Sequence, residues 1–279
     1  MAAKVINGEQ IAREVREQLK STAAFLKSEG ITPGLAIVVL KSPVARIHVA
    51  RLKERACRQL GIYCRVHYLA EDTTKAELEQ LLIQLNADPK IHGVNIHPLP
   101  PSFDHMLFSQ LVAPHKDIEV LHFLNMGNFF RGEYKLIPYV AKGIMRLITA
   151  TGESLAGKRA VVVGRSRLVG KPVALLLLER GIAVSICHSQ TPDLAAFTKK
   201  ADLLVVAAGK PRLITQKMVK TGAIVIDVGV NFAGTRLVGD VDYWDVKKTA
   251  GWITPVPGGV GPMTITMLFE NLLEAVKVQ

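Results

Sequence analysis

Short apolar runs alternate along the chain with segments whose apolar positions recur at the spacing of a helix face. The runs predict buried strands and the periodic segments predict amphipathic helices. We predict helices at 11–28, 44–60, 74–85, 142–151, 171–180 and 263–276. We predict strands at 35–40, 64–69, 93–96, 157–163, 183–187, 203–207 and 223–228. Such alternation predicts an α/β protein with mostly parallel sheets and right-handed crossovers.

The alternating pattern is interrupted between Gly132 and Gly143, where the sequence becomes irregular. A chain of 279 residues is long enough for two ordinary domains. We therefore predict a first domain of residues 1–140 and a second, Rossmann-like domain of residues 141–264. The last helix, within 265–279, is expected to pack back on the first domain. Each domain is predicted to hold a mostly parallel sheet covered by helices.

The composition, 49% hydrophobic and 21% charged, is typical of a folded globular protein. No apolar run has the length of a membrane span, and the first residues lack the apolar stretch of a signal peptide. We expect a cytoplasmic protein with no membrane partner. The three cysteines form no CxxC pair and the histidines show no ligand spacing, so neither a disulfide framework nor a metal site is predicted.

The net charge of +11 admits three interpretations: a nucleic-acid surface, a site for an anionic small molecule, or a basic surface with no specific ligand. Basic residues are scattered, and aromatic residues make up only 6% of the chain, so nucleic-acid binding is disfavoured. A ligand that carries phosphate or carboxylate groups and a merely basic surface both stay open.

A glycine turn joins the predicted strand at 157–163 to the helix that follows, in the sequence Gly164-Arg-Ser-Arg-Leu-Val-Gly170-Lys-Pro172. Glycines allow close backbone approach, and a helix N-terminus offers N–H groups and a positive dipole to a phosphate. The spacing is not GxGxxG, so a structural turn without a ligand is the alternative. Two further candidate loops, 207–211 and 227–231, end predicted strands; each could also be an ordinary turn.

The end of the next strand favours NADP over NAD. NAD sites place an acidic residue there for the ribose hydroxyl, whereas this chain has Cys187-His-Ser-Gln-Thr191. Arg165 and Arg167 lie close by in the sequence. Hydroxyl, imidazole and guanidinium donors suit a 2′-phosphate, which a carboxylate would repel. We therefore predict an NADP-dependent oxidoreductase.

Several motifs in one order resemble the bifunctional methylenetetrahydrofolate dehydrogenase/cyclohydrolase family over essentially the whole chain. The most specific is Thr254-Pro-Val-Pro-Gly-Gly-Val-Gly-Pro-Met-Thr264, with support from Gly164–Pro172, Cys187–Thr191, Gly229-Val-Asn231 and Gly239-Asp-Val-Asp242. The resemblance implies two α/β domains around a cleft, a folate-type substrate between them, and a homodimer. It also implies NADP in the second domain, on Gly164, Arg165, Ser166, Val169, Gly170, Lys171, Pro172, His188, Ser189, Thr191, Ala208, Gly209, Gly229, Asn231, Gly259 and Val260.

The first domain departs from the family where the family carries Ser-x-x-Tyr-x-x-x-Lys, with the lysine as the main catalytic group. When the motif is aligned by counting back from Gly61, Lys53 takes the lysine position and Val49 takes the tyrosine position. When the motif is aligned by counting forward from Pro43, His48 takes the tyrosine position and Lys53 lies one residue after the lysine position. The tyrosine is missing in both registers, and a slip of one residue turns a helical side chain by about 100°.

Other departures fall in the same pocket. His97 replaces a glutamine that contacts the lysine, and Glu119 replaces a folate-binding aspartate within Lys116-Asp-Ile-Glu-Val120. The family's Pro-Cys-Thr-Pro-x-Gly corresponds to Pro138-Tyr-Val-Ala-Lys-Gly143. The candidate catalytic residues are thus Lys53, His97 and His48. The candidate substrate-binding residues are Glu119, Val49, Pro257 and Gly258.

These departures predict oxidation of methylenetetrahydrofolate to methenyltetrahydrofolate, with cyclohydrolase activity weak or lost. Hydride transfer needs alignment of donor and acceptor rather than a base, whereas hydrolysis needs a lysine of controlled protonation. His97 could serve as a replacement base or only fill space beside the prolines. Glu119 could bind the pterin's N–H groups or be a solvated loop carboxylate. The alternatives are an enzyme for another one-carbon or folate-like substrate, or a non-catalytic nucleotide-binding homologue.

Overall fold

The structure, a computed structural model, describes residues 2–40, 44–234 and 236–279, and the side chains of 44–46 are outside the description. The chain divides into two compact units, one of residues 1–14 with 140–267 and the other of residues 15–139 with 268–279. We call the first the cofactor unit and the second the lysine unit. Residues 1–14 fall within the predicted first domain, 1–140, but group here with the cofactor unit.

The strands are β1 Lys4–Val5, β2 Gly34–Leu40, β3 Tyr63–Leu69, β4 Gly93–Ile96, β5 Arg159–Val163, β6 Ala183–Cys187, β7 Leu203–Val206, β8 Ile224–Asp227, β9 Asn231–Ala233, β10 Arg236–Val238 and β11 Trp252–Ile253. The α-helices are α1 Gly8–Ser28, α2 Val44–Leu60, α3 Lys75–Ala87, α4 His105–Ser109, α5 Phe123–Arg131, α6 Tyr139–Thr149, α7 Gly170–Glu179, α8 Leu194–Thr198, α9 Tyr243–Val246 and α10 Val260–Val276. Short 3₁₀ helices lie at Pro114–Lys116 and Gln216–Met218.

The lysine unit contains a parallel sheet in the order β3-β2-β4. The central strand β2 is buried over its whole length because its run of apolar residues is covered on both faces. On one face, Ala36 and Val38 join Val94 and Ile96 of β4 and the apolar side of α3 in a single core cluster. Helix α3 begins at a capping box in which Thr74 and Glu77 bond each other's backbone N–H groups.

The cofactor unit contains a parallel sheet in the order β1-β11-β8-β7-β5-β6. Lys4 and Val5 pair with Trp252 and Ile253, which explains why the first residues belong to this unit. Strands β7 and β8 are fully buried, whereas β6 lies at the edge and is largely exposed. A separate antiparallel hairpin joins β9 and β10.

The α/β fold with parallel sheets is confirmed, and the strands at 93–96 and 183–187 have the predicted bounds. Helix α6 begins at Tyr139, three residues before its predicted start, directly after Pro138. The segment predicted as irregular is irregular over 132–138, and its last part, from Tyr139, belongs to this helix. Among the described residues, no helix combines the length and apolar composition needed to cross a membrane.

Candidate functional site

Helix α2 carries Lys53 on its buried face. Ala50, Lys53, Cys57 and Leu60 are all buried, and their spacing of three, four and three residues places them along one side of the helix. A lysine in such a stripe is unusual, since an ammonium loses its hydration when it is buried. Only 8% of the Lys53 surface is exposed, so its charge depends on partners within the protein.

Strand β4 supplies two of those partners. Side chains alternate across a strand, so Val94 and Ile96 enter the apolar core while Asn95 and His97 face the other way. Lys53 Nζ donates to Asn95 Oδ1 at 2.6 Å and lies 3.1 Å from His97 Nε2. When Lys53 is charged, Nε2 must accept, which leaves the proton of the neutral imidazole on Nδ1.

Glu119 reaches the same cluster from the loop that runs beside β4. Asp117 forms an isolated parallel bridge with Val94, which aligns the loop with the strand. Glu119 Oε2 then accepts from the backbone N–H of Ile96 at 3.0 Å, and this bond favours the ionised carboxylate. The Glu119 side chain is therefore a buried, bonded carboxylate and not a solvated loop residue.

Burial moves the protonation of both ionisable groups toward neutral pH. Desolvation lowers the pKa of Lys53 to about 8, although the charge of Glu119 partly opposes the shift. Desolvation also raises the pKa of Glu119 to about 7, against the attraction of Lys53 and the hydrogen bond from Ile96. Near pH 7.5 the lysine is mostly protonated and the carboxyl mostly ionised, but each is within reach of its neutral form.

Tyr139 is a neighbour of Glu119. The buried Asn271 donates to the carbonyl oxygens of Ile118, at 2.9 Å, and of Ile137, at 2.7 Å, and so ties the segment before Glu119 to the segment before Tyr139. Burial and the charge of Glu119 raise the pKa of the Tyr139 phenol above its usual value. The hydroxyl therefore stays protonated and can donate a hydrogen bond.

The structure distinguishes the two registers of α2. Lys53 meets Asn95 and His97, and Val49, one turn earlier, is on the same side of the helix with 40% of its surface exposed. His48 is exposed and turned away by about 100° from Val49, so it does not join the cluster. Pro43, from which the second register is counted, lies outside the described residues.

In the cofactor unit, the glycine turn after β5 folds tightly against its neighbours. A Cβ on Gly164 would overlap the carbonyl oxygen of Ala207, and a Cβ on Gly170 would overlap that of Gly164. Gly164 also has φ of 132°, which side-chain-bearing residues rarely adopt. Both glycines are thus required by the packing of the turn itself.

The first N–H groups of α7 are used within the turn. Ser166 Oγ accepts from Val169 at 3.2 Å and from Gly170 at 3.4 Å, and the carbonyl of Ser166 accepts from Lys171 at 3.1 Å. Pro172 has no N–H to offer. In this structure the N–H groups of Val169, Gly170 and Lys171 are therefore bonded to Ser166. The role of this helix start in binding a phosphate stays a prediction.

A cavity of about 410 Å³ adjoins the turn. Three of its walls are the turn itself, the end of β6 and the end of β7, as expected where strands of a parallel sheet end. No carboxylate lines it; its lining residues are Val163, Gly164, Arg165, Ser166, His188, Ser189, Thr191, Leu194, Ala207, Ala208, Lys210 and Leu213. Thr191 Oγ1 accepts from the N–H of His188 at 2.9 Å and fixes the loop after β6.

Asp240 holds the third wall in place. Its carboxylate accepts from the backbone N–H groups of Ala208, Gly209 and Lys210 at 2.6–2.9 Å, and from Asn231 Nδ2 at 2.8 Å. A Cβ on Gly229 would overlap the same carboxylate. Gly229 and Asn231 therefore contact Asp240 and act on the loop 207–210 through it.

The remaining sequence-predicted residues of this unit lie away from the cavity. Gly259 packs so closely that a Cβ would be 2.6 Å from the carbonyl oxygen of Pro255, and Val260 is the first residue of α10. Pro257, exposed, and Gly258, at φ of 102°, form the loop before that helix. Val169, Gly170, Lys171, Pro172 and Gly209 do not line the cavity either.

Comparison with known families accounts for both units. Residues 6–119 match the catalytic domain of tetrahydrofolate dehydrogenase/cyclohydrolase, and residues 138–279 match its NAD(P)-binding domain. The chain belongs to this family. The family's NAD(P)-binding domain contains the cavity beside Gly164, and its catalytic domain contains Lys53, Asn95, His97 and Glu119.

Relatives and solved structures extend over the full length. The chain is 49% identical to the bifunctional protein FolD of Moorella thermoacetica, over 99% of this chain and 100% of that protein. The FolD structure from Campylobacter jejuni has a TM-score of 0.96 at 40% identity and covers 99% of both chains. FolD of Trypanosoma brucei, complexed with NADP cofactor and inhibitor, has a TM-score of 0.95 at 35% identity, over 100% of this chain and 98% of that one.

Sequence reasoning missed three residues that shape these sites: Asn95, Tyr139 and Asp240. A signal existed for Asn95, since an amide between Val94 and Ile96 in an apolar strand needs buried hydrogen-bond partners. Asp240 lay within a motif that was recognised but was given no role. Tyr139 carried no such signal, because its approach to Glu119 depends on Asn271, far away in the sequence.

Proposed function

We propose that this protein oxidises 5,10-methylenetetrahydrofolate to 5,10-methenyltetrahydrofolate with NADP, and that it hydrolyses the methenyl product slowly. The observation that carries the proposal is the buried cluster of Lys53 and Glu119, which retains a carboxylate for the pterin while lacking a tyrosine beside the lysine. Membership of the family and the names of its relatives support the reaction type.

The cavity beside Gly164 fits a nucleotide that carries a 2′-phosphate. Arg165, Lys210, His188, Ser189 and Thr191 offer cationic and hydroxyl donors, and no carboxylate among the lining residues would repel the phosphate. We propose that these residues hold NADP in preference to NAD. The bound cofactor supplies the hydride acceptor; the protein's part is to hold the dinucleotide in a fixed orientation.

Glu119 has the acceptor capacity that the pterin edge requires. A carboxylate offers about four lone-pair positions, and the N–H of Ile96 uses one of them. Positions are left for the amino and ring N–H groups of the pterin. Compared with the family's aspartate, the glutamate is longer by one methylene, so we propose that the ring binds in a slightly shifted position.

The oxidation step needs no base from the protein. The cation left after hydride removal is stabilised by its two flanking nitrogens, so orientation is the main requirement. Glu119 orients the pterin, and the ammonium of Lys53, bonded to Asn95 and His97, stays in a fixed position. Loss of the tyrosine therefore reduces the rate of this step without abolishing it.

Hydrolysis of the methenyl group requires a base for the attacking water, and here the site is poorly prepared. With a pKa of about 8, only about one tenth of Lys53 is neutral at pH 7. Its protons are directed at Asn95 Oδ1 and His97 Nε2. As long as His97 Nε2 accepts from Lys53, its lone pair is not available to water. We propose slow hydrolysis that accelerates as the pH rises toward 8.

The test is an assay of the purified protein with methylenetetrahydrofolate and either NADP or NAD, in which reduced cofactor and methenyl product are followed as separate absorbance signals. We expect reduction of NADP well above that of NAD, with methenyl product accumulating. Absence of reduced cofactor despite NADP binding would contradict the proposed substrate. Equal rates with NAD would contradict the cofactor preference.

We further propose that two copies associate through the edge strand β6. No strand pairs with the outer side of β6 in the described sheet order, and Ile186 exposes 43% of its surface. An unpaired apolar edge is a template for a strand of a second copy. In analytical ultracentrifugation the protein should sediment as a dimer, and Ile186→Lys should shift it to the monomer. An unchanged dimer in that variant would exclude this edge.

A further inference from the structure

Two buried carboxylates are linked in series beside the cofactor cavity. Asp240 accepts from the N–H groups of the loop 208–210, and 0% of its surface is exposed. Asp227, the last residue of β8, is 2% exposed. Its Oδ1 accepts from the backbone N–H of Asp240 at 2.9 Å, and its Oδ2 accepts from that of Val241 at 3.0 Å. Asp227 thus binds the chain segment that carries Asp240.

Two glycines make room for these carboxylates. A Cβ on Gly239 would overlap the carboxylate of Asp227, and a Cβ on Gly229 would overlap that of Asp240. Asp227 Oδ1 also accepts from the N–H of Gly229 at 2.9 Å. Each carboxylate therefore lies against the chain segment of the other. We call these two segments the aspartate clasp: residues 227–229 and 239–241.

We infer that Asp227 is a positioning residue for NADP binding: its carboxylate holds Asp240, and Asp240 in turn holds the cavity wall at 208–210. The consequence for NADP rests on the proposed binding of that cofactor in the cavity beside Gly164. The clasp itself lies within the cofactor unit, so it can be tested without a cofactor.

The carboxylate of Asp227 fixes the segment 239–241 because both of its oxygens are engaged. Burial raises its pKa to about 6, and the charge of Asp240 raises it further, against the bonds from Val241, Asp240 and Gly229. The group is therefore mostly ionised at pH 7.5, where it accepts hydrogen bonds and donates none. Three backbone N–H groups directed at its two oxygens then leave the segment little freedom to move.

The cavity wall follows the position of Asp240. Ala208 and Lys210 line the cavity, and their N–H groups donate to the Asp240 carboxylate at 2.6 and 2.9 Å. An unpaired N–H group in the protein interior is costly, so the wall shifts with the carboxylate that accepts from it. Lys210 is also one of the cations proposed to bind the cofactor phosphates. A displaced Asp240 should therefore move a cofactor-binding residue.

The direct test measures hydrogen–deuterium exchange of the backbone in Asp227→Asn, without cofactor. Asparagine has nearly the same volume, but its Nδ2 cannot accept from the N–H of Val241. We expect exchange at 208–210 to accelerate by at least about tenfold, because the loop opens more easily once Asp240 is less firmly held. Exchange as slow as in the unmodified protein would overturn the proposal. If Asp227→Asn fails to fold, Asp227→Ser, which keeps one acceptor oxygen, carries the test.

Asp202→Asn is the matched control. The carboxylate of Asp202 also accepts from a backbone N–H of the cofactor unit, that of Arg159 at 2.9 Å. Asp202 precedes β7, however, whereas the loop 208–210 follows that strand. Its replacement should leave exchange at 208–210 unchanged. Equal acceleration at 208–210 in both variants would indicate a general loss of stability and contradict a specific role for Asp227.

NADP affinity, measured by calorimetry, distinguishes a series from two independent supports. Asp227→Asn should weaken binding by about fivefold to tenfold, and Asp240→Ala by at least about tenfold. Because Asp227 acts through Asp240, the double variant should bind no more weakly than Asp240→Ala alone. Losses that multiply in the double variant would contradict the series. Absence of NADP binding in the unmodified protein would instead refute the proposed cofactor site, and the exchange result would still decide the role of Asp227.

Discussion

At the scale of single residues, Lys53 lacks the tyrosine expected at position 49 but keeps other polar contacts. The tyrosine expected one turn before the lysine is replaced by Val49, yet Lys53 is buried and has two polar partners. One of these, Asn95, supplies an amide oxygen to the lysine two positions before His97, where the family carries a glutamine. An amide contact to Lys53 is thus kept in altered form, while Val49 carries no hydroxyl.

Val49→Tyr should restore part of the cyclohydrolase activity. Because Val49 lies on the side of Lys53 and is 40% exposed, a larger ring fits without displacing the core. We expect methenyl hydrolysis to rise by about tenfold and oxidation by less than about threefold. His48→Tyr is the control, since that position is turned away from Lys53 and should change neither rate. A rise in the control variant alone would favour the other register.

Substrate binding should depend on pH through Glu119. Its pKa is raised to about 7, so the carboxyl is protonated at lower pH and loses acceptor positions for the pterin. Affinity for a folate analogue, measured by calorimetry, should therefore increase as the pH rises through about 7. Glu119→Gln should bind at least about tenfold more weakly and show no such dependence. Glu71→Gln, at an exposed position, should behave as the unmodified protein. An affinity of the unmodified protein that does not change with pH would contradict the role of Glu119 in binding.

At the scale of elements, the long strands and helices were predictable because their apolar periodicity is strong. The register of α2 follows from its buried positions, Ala50, Lys53, Cys57 and Leu60. This inference requires that the lysine be counted among the buried residues. The short helices α4 and α5 were missed, since they depend on single capping side chains, Asp104 and His122, rather than on a repeating pattern. Strands of two residues, such as β1, carry no periodic signal at all.

The segment that carries Glu119 contains a strained residue. Val120 has φ of 60°, a conformation costly for β-branched side chains, at a position where the family's motif has glycine. Both Val120→Gly and Val94→Gly in β4 should lower the free energy of unfolding. The loss should be about 1–2 kcal/mol smaller for Val120→Gly, although both valines are 2% exposed. Urea denaturation checks this. Equal costs would show that the strain is absorbed elsewhere.

The loop at 207–210 should depend on Asp240. Asp240→Ala removes the acceptor of three backbone N–H groups, so the wall of the cavity loses its fixed shape. We expect NADP affinity to fall by at least about tenfold. Asp242→Ala, which removes only the cap of α9, should lower thermal stability and leave NADP affinity nearly unchanged. Equal losses of affinity in both variants would contradict a specific role for Asp240.

At the scale of the whole molecule, the two units differ in how closely they keep the family's motifs. The cofactor unit retains the glycine turn, the donor-lined cavity and the loop before α10, and these were predictable because their motifs are contiguous in sequence. The site of the lysine unit was predictable only in part. Its members come from α2, β4 and the loop at Glu119, and their contacts depend on packing that no local pattern contains.

The central claim is that oxidation persists while hydrolysis is slow, and the most direct test supplies methenyltetrahydrofolate itself. Its decay should be measured with the unmodified protein, with Lys53→Met and without protein, beside the rate of oxidation under the same conditions. We predict that hydrolysis runs at least about tenfold more slowly than oxidation at pH 7 and accelerates as the pH rises toward 8. Hydrolysis at pH 7 as fast as oxidation, abolished in Lys53→Met, would contradict the account.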